Sequence, residues 1–151
     1  MTTVRRAFGA DANDVARLLR DFNAEFDDVV PERGELSARM KALIDSGETV
    51  VLLVGNGPDG LAVLRFRQAI WAAGAESQLA ELYVVPRQRG HGLGRALMDA
   101  AIEQARARGA VWMDLGTSEA DVAARKLYES VGFTNREVGS GAVQYFYGRE
   151  L

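Results

Sequence analysis

Apolar residues recur along the chain with two different spacings, and segments of the two kinds alternate. Spacings of three and four residues are typical of helices, whereas short β-branched runs are typical of strands. The helical spacing predicts four helices, which begin near Asp11, after Pro31, at the glycines 90–94 and after Ser118. The β-branched runs predict strands at 3–7, 49–54, 61–67, 78–85, 111–115, 133–138 and 143–147.

Turn-forming residues connect two pairs of these strands. The segment GNGPDG separates 49–54 from 61–67, and the stretch 139–141 separates 133–138 from 143–147. Gly, Asn, Asp and Pro adopt the backbone conformations that tight turns require. Both pairs are therefore predicted to be antiparallel hairpins, the second of which closes the chain.

Polar residues mark the start of two helices. Asp11 and Asp14, and later Ser118 and Asp121, stand three residues apart, which is the spacing of a capping box. In that motif, side chains satisfy N–H groups that the first helical turn leaves unpaired. We therefore predict a side-chain cap at each of these two helix starts.

The composition fits an ordinary globular protein and excludes several kinds of chemistry. The 151 residues are 48% hydrophobic and 26% charged, which fits one domain over 1–151. There is no cysteine, and His91 is the single histidine, so we expect no thiol nucleophile and no metal. The net charge of −3 argues against nucleic acid as a partner. No apolar stretch has the length of a signal sequence or a membrane span, so we expect a cytoplasmic protein with no membrane partner.

Glycines are concentrated in VVPRQRGHGLGRAL, residues 84–97, between a predicted strand and a predicted helix. Glycine costs conformational entropy, so this density indicates a steric or ligand requirement. The first turn of a helix has unpaired N–H groups and the positive end of the helix dipole, and bare backbone there can approach a phosphate. We therefore predict a phosphate-binding loop, with a flexible turn as the simpler alternative. The loop contains Gly90, Gly92 and Gly94 and is flanked by Arg87, Arg89 and Arg95.

Two nucleotide-binding motifs can be tested against this spacing. A P-loop requires Gly-Lys-Ser or Gly-Lys-Thr, and the sequence contains neither. A dinucleotide-binding G-x-G-x-x-G motif requires glycine where Arg95 stands, although Asp114 follows at a suitable distance. The P-loop interpretation therefore fails, and a dinucleotide-dependent oxidoreductase is a weak alternative.

A third interpretation rests on resemblance to a known family. ELYVVPRQRGHGLGRAL, residues 81–97, resembles the acetyl-CoA-binding segment of the GNAT superfamily of N-acetyltransferases, whose signature Q/R-x-x-G-x-G/A is filled by Arg89, Gly92 and Gly94. DVAARKLYESVGF, residues 121–133, resembles the family's later Leu-Tyr and Gly-Phe segment. One departure is Asp121, where many members have Asn. The two segments stand at the family's usual separation.

The resemblance implies a fold and an acyl donor. The fold is a single α/β domain, with a mixed, mainly antiparallel twisted sheet of about six to seven strands and about four helices. The donor substrate is acetyl-CoA. In the family, a splayed strand pairs through its main chain with the pantetheine arm, which here assigns Leu82, Tyr83 and Val84. Backbone amides of the glycine loop would hold the pyrophosphate, which assigns Arg89, Gly90, His91, Gly92, Leu93 and Gly94, with His91 acting through its backbone.

The resemblance also implies roles in catalysis. Acetylation by a thioester requires a neutral amine, a polarised carbonyl and a proton for the departing thiolate. Tyr128 falls where the family keeps its general acid, although a tyrosine packed in the core is the alternative. Glu81 could accept the amine proton directly or through water, or it could be a solvated strand carboxylate. The N–H of Val84 corresponds to the family's donor to the thioester carbonyl.

The acceptor is an amine of unspecified identity. In this superfamily the segment between the first two helices commonly lines the acceptor side, and here it carries five acidic residues that would attract a cationic amine or simply be solvated: Glu25, Asp27, Asp28, Glu32 and Glu35. Four aromatic residues could form pocket walls or belong to the core: Phe22, Phe26, Trp71 and Tyr145.

We therefore expect an N-acetyltransferase that transfers acetyl directly in a ternary complex, because no cysteine could form a covalent intermediate. The alternative from another class is a catalytically silent acyl-CoA-binding sensor. The resemblance also allows a homodimer.

Overall fold

A five-stranded sheet with helices on both faces forms the first of two units in the computed structural model, which describes residues 2–151. This unit covers 1–115, and the second covers 116–151 and contains helix α4 (Val122–Ser130). The elements of the first unit are β1 (Val4–Arg6), α1 (Ala12–Ala24), α2 (Arg33–Ser46), β2 (Thr49–Val54), β3 (Gly60–Gln68), β4 (Ala75–Val84), α3 (Leu93–Ala107) and β5 (Ala110–Leu115), with single 3-10 turns at Gly9–Asp11 and Pro86–Gln88.

The strands lie in the sheet in the order in which they occur along the chain. The β1–β2, β2–β3 and β3–β4 pairs are antiparallel, as expected for strands joined by hairpins or by the helical excursion after β1. The β4–β5 pair is parallel because α3 carries the chain back across the sheet. The predicted α/β class, the mainly antiparallel mixed sheet, the four helices and the hairpin between β2 and β3 are therefore confirmed.

The core occupies both faces of the sheet. Val51 and Leu53 of β2 pack in one apolar cluster with Val15 and Leu18 of α1. Residues of opposite parity, such as Val50, are equally buried and face the other side, where α3 packs against the strands. The sheet is thus covered on both sides, which holds β4 and the start of α3 in place.

The number of strands differs from the prediction, since the described residues form five strands rather than six to seven. The segments 133–138 and 143–147 were expected to form a closing hairpin, but they make only one antiparallel bridge, between Arg136 and Val143. Apart from the half-buried Phe133, the large apolar side chains of these segments are exposed, Val138 fully and Tyr145 by 75%. An isolated hairpin is marginal without an apolar face to bury, and these side chains supply none. One domain over 1–151 stays a prediction.

The two predicted helix caps have different outcomes. Asp11 makes no cap bond to α1, because its carboxylate instead accepts from Arg5 at 2.8 and 3.0 Å and from the Phe8 N–H at 2.8 Å. The hydrogen bond from Arg5 lowers the pKa of Asp11. The capping-box spacing puts the cap of α4 at Ser118, but the N-cap is Asp121, whose Oδ1 accepts from the Ala124 N–H at 3.1 Å. Aspartate thus replaces the family's usual asparagine without loss of the helix start.

Candidate active site

The main chain of β4 has an open edge near its carboxyl end. β4 pairs with β3 as far as Val84, but its pairing with β5 ends at Leu79. Beyond that point the two parallel strands no longer run side by side. We call the main chain of residues 80–84 on this side the open edge.

The hydrogen-bond register identifies which groups point to the open edge. The Val85 N–H donates to the Asp59 carbonyl at 2.8 Å, so this pair is bonded across the antiparallel ladder. Because successive residues of a strand alternate in direction, the N–H of Val84 and that of Leu82 point away from β3. The main-chain groups of Tyr83 point toward β3 instead. Two of the three predicted donor-strand residues therefore offer main-chain groups to a ligand.

The glycine loop leads from this strand into α3. Gly90 and Gly92 have φ of +79° and +82°, a region that favours glycine, and Gly92 is the N-cap of α3. A Cβ at either position would meet no heavy atom within 4 Å. The positive φ, not crowding within the chain, is what requires glycine here. The open space leaves the N–H groups of the first turn of α3, including those of Leu93 and Gly94, accessible to an anion.

The three arginines around the loop are all paired with carboxylates. Arg89 also links the loop to β4, because its Nε donates to the Val84 carbonyl at 2.9 Å and its guanidinium lies 5.7 Å from the Tyr83 ring centroid. These pairs reduce the local positive charge that the sequence suggested. They are Arg87 with Asp59 at 3.1 Å, Arg89 with Glu25 at 2.9 Å and Arg95 with Asp99 at 3.4 Å.

Glu81 lies half-buried on β4, opposite Val63 of β3. Its carboxylate makes no hydrogen bond or ion pair with another residue of 2–151, and burial raises its pKa. It lines a half-open cavity of about 250 Å³ under α1 and α2, together with the polar residues Asn23, Thr49 and Arg65. A carboxylate with a raised pKa beside a cavity is suited to accept a proton.

The side chains of two predicted donor-binding residues, Tyr83 and His91, contact other parts of the chain. The Tyr83 ring is 4% exposed and stacks on Phe22 with the ring centroids 5.1 Å apart, and burial raises the pKa of its hydroxyl. The ring Nδ1 of the exposed His91 lies 3.2 Å from the Gln88 carbonyl. His91 can still act through its backbone, whereas Tyr83 has both its side chain and its main-chain groups engaged within the fold.

Tyr128 lies on α4, in the second unit. Its ring meets that of Phe133 edge-on at 6.4 Å between centroids, and its carbonyl accepts from the Phe133 N–H at 3.1 Å. The Leu-Tyr and Gly-Phe parts of the recognised segment are therefore in contact with each other. The role of Tyr128 as an acid stays a prediction.

The acidic residues at 25–35 do not form a rim around the cavity, in contrast to one of the interpretations considered for this segment. None of the five acidic residues at 25–35 lines the cavity. Glu25 is held by Arg89, and Glu35 pairs with Arg39 at 2.9 Å. Of the four aromatic residues considered as pocket walls, Phe22 packs on the core, whereas the other three are exposed.

Sequence reasoning missed the polar residues Thr49 and Arg65 of the cavity. Each interrupts or borders an apolar strand, Thr49 before VVLLV and Arg65 after LAVL, which is the signal that could have identified them. Within residues 2–151 there is no cluster of His, Asp or Glu that could hold a metal ion. In the same range, no helix combines the length and the apolar character needed to cross a membrane.

Comparison with protein families agrees with this geometry. The family model described as Acetyltransferase (GNAT) family matches residues 15–133, which include β2 to β5, the open edge, the glycine loop and α4. The chain belongs to this family. The resemblance carried by the two motifs is thereby confirmed.

Individual relatives extend the match. A putative acetyltransferase from Arthrobacter sp. FB24, known from its crystal structure, is 44% identical, with a TM-score of 0.92 over 99% of this chain and 96% of that one. The N-acetyltransferase YhfO of Bacillus subtilis is 28% identical, over 94% of each chain. A mycothiol acetyltransferase of Thermobispora bispora is 48% identical over 66 residues, which are 42% of this chain and 22% of that protein. The chain thus spans only a minor part of the mycothiol acetyltransferases that it matches.

Proposed function

We propose that the protein transfers an acetyl group from acetyl-CoA to a primary amine of a small molecule or peptide, directly and within a ternary complex. The observation that carries this proposal is the open edge of β4 running into a positive-φ glycine loop at the start of α3. Main-chain groups at the open edge can form hydrogen bonds with an amide-bearing arm, and backbone N–H groups of the loop can bind a pyrophosphate. The three relatives described above, each named an acetyltransferase, support the same reaction class.

The residues present fit the donor substrate. Leu82 would bind a pantetheine amide through its outward N–H and carbonyl groups. The outward N–H of Val84 would meet the thioester end of the donor, since the Val84 carbonyl already accepts from Arg89. Residues 89–94 would bind the pyrophosphate through backbone N–H groups, and the space beside Gly90 and Gly92 would let it approach. Acetyl-CoA supplies the thioester that makes the acetyl group transferable.

The transfer requires three proton movements and one carbonyl contact. Glu81 accepts a proton from the ammonium form of the acceptor, so that the amine nitrogen can form a bond to the acetyl carbon. The Val84 N–H donates to the carbonyl oxygen, where negative charge develops. The bond between the acetyl carbon and sulfur then breaks, and Tyr128 donates its hydroxyl proton to the thiolate. The nitrogen loses its remaining surplus proton as the amide forms, and this proton, carried by solvent, restores the Tyr128 hydroxyl. A cytoplasmic location and a homodimer are further predictions.

A ligand panel tests the proposal. Thermal unfolding would be followed with acetyl-CoA, NAD and ADP, and release of free CoA would be measured with amines of several classes. A ligand at a hundred times its Kd adds about 2.7 kcal/mol to the free energy of unfolding. Binding of acetyl-CoA should therefore raise the midpoint of thermal unfolding by a measurable amount. Stabilisation by NAD alone would support an oxidoreductase instead. Binding of acetyl-CoA with no CoA release from any amine would support a sensor.

A further inference from the structure

The cavity beside Glu81 carries a second polar end that the proposed chemistry does not use. Thr49 is fully buried at the start of β2, and its hydroxyl has no hydrogen-bond partner among residues 2–151. Buried hydroxyl groups are normally paired, because an unpaired one costs free energy. The side chain lines the cavity, so a bound ligand could supply the missing partner.

Arg65 lies next to Thr49 and is also without a partner. The two residues are directly opposite each other in the β2–β3 register. The guanidinium of Arg65 makes no hydrogen bond or ion pair with any residue of 2–151. By contrast, Arg39 at the same cavity is paired with Glu35, and Arg67 on the same strand pairs with Glu76 at 2.7 Å. Arg65 thus supplies a cation that no carboxylate of the described chain neutralises.

The two polar ends of the cavity are a short distance apart. Glu81 lies opposite Val63, and Arg65 follows Val63 by two residues on β3, which corresponds to about 7 Å along a strand. A ligand that places its ammonium at Glu81 can therefore reach Arg65 with a group only a few bonds away. The cavity volume of about 250 Å³ leaves room for a small ligand between the two ends.

We propose, on the basis of the proposed function, that the acceptor is a small amine that also carries a carboxylate, an amino acid in the broad sense. Its ammonium lies at Glu81. Its carboxylate accepts hydrogen bonds from the Arg65 guanidinium and from the Thr49 hydroxyl. One carboxylate and one unpaired guanidinium in the same cavity match the two charges of such a zwitterion, whereas a polyamine would place a second cation beside Arg65.

The test compares acids with their neutral carboxamides. Release of CoA would be measured with α-amino acids such as leucine and with ω-amino acids of increasing length, each beside its carboxamide. This series scans the distance between the amine and the carboxylate. We expect kcat/KM for the best acid to exceed that of its carboxamide at least tenfold, because hydrogen bonds between charged groups contribute strongly to recognition.

Variants show whether the proposed residues cause this preference. Arg65→Gln and Thr49→Val should each reduce the ratio of acid to carboxamide by tenfold or more, because the lost donors bind the charged carboxylate more strongly than the neutral carboxamide. Thr49→Val should also raise the thermal midpoint, because it removes an unpaired buried hydroxyl. Arg67→Gln is the matched control, since Arg67 lies on the same strand outside this cavity, and its ratio should equal that of the wild type.

The outcomes separate this inference from the proposed function. Equal or faster transfer to the carboxamides, or an unchanged ratio in the Arg65 and Thr49 variants, would overturn the inference and leave acetyl transfer standing. Absence of CoA release with every amine, despite binding of acetyl-CoA, would overturn both.

Discussion

Replacing Glu81 by glutamine tests the proposed base with little structural disturbance. The carboxylate has no hydrogen-bond or ion-pair partner among residues 2–151, so Glu81→Gln removes a charge but breaks no contact. A positioned general base typically contributes about 10² to 10⁴ in rate, which corresponds to about 2.7 to 5.4 kcal/mol of transition-state stabilisation. We expect kcat to fall within this range, while the Kd for acetyl-CoA is unchanged.

The pH dependence supplies a second measurement on the same variant. Burial raises the pKa of Glu81, so wild-type kcat/KM should rise as pH rises through that pKa. This rising limb of the pH profile should be missing in Glu81→Gln. The native state also holds this proton more tightly than the unfolded chain. The free energy of unfolding of the wild type therefore falls as pH rises through the raised pKa. Above that pKa the Glu81→Gln variant should have the larger free energy of unfolding. This difference from the wild type should disappear below the ordinary pKa of glutamate.

The assay is the release of free CoA across a pH series, with chemical unfolding of both proteins over the same range. Glu76→Gln is the matched control, because Glu76 lies on the same strand but is paired with Arg67. Its turnover should equal that of the wild type. A fall in kcat of less than about threefold for Glu81→Gln, with the pH limb retained, would refute the assignment of Glu81 as the base.

Three further substitutions test other parts of the account. Gly92→Ala should lose about 1–2 kcal/mol of stability in denaturant unfolding, because φ at this position is +82°, and it should also lose most of its affinity for acetyl-CoA. Gly34→Ala is the control, since Gly34 also has open surroundings but lies in helix α2, and its stability should be unchanged or higher. Asp121→Ala should lose about 0.5–2 kcal/mol with the N-cap bond, and an unchanged unfolding midpoint would contradict the observed cap. Tyr128→Phe should lower kcat about 10²-fold at unchanged Kd for acetyl-CoA, and full activity in that variant would exclude it as the acid.

Local patterns were sufficient to predict the parts of the fold that depend on neighbouring residues. The hairpin of β2 and β3 and the glycine loop at the start of α3 both follow from periodicity and turn chemistry. The closing hairpin failed because its alternating apolar residues indicate a strand without specifying a surface to cover. Strand propensity depends on such packing more than on the backbone itself.

The candidate site was predictable only where it is continuous in sequence. Residues 81–94 were identified because strand, loop and helix start follow one another. The pair between Arg89 and Glu25 joins residues 64 positions apart, and no local spacing indicates it. The cavity depends on the register that places Thr49 opposite Arg65, and on a bulge after Val63 in the β3–β4 ladder. Register of this kind is decided by packing across the whole sheet.

Amide hydrogen exchange followed by NMR, with and without acetyl-CoA, tests most directly whether the open edge and the glycine loop bind the donor. Acetyl-CoA should slow exchange at Leu82 and Val84 and at the amides of 89–94. Tyr83 is the internal control, because its N–H points toward β3 and should be protected in both states. Saturation with acetyl-CoA that leaves exchange at Leu82, Val84 and the loop unchanged, or that protects another part of the chain instead, would contradict the account.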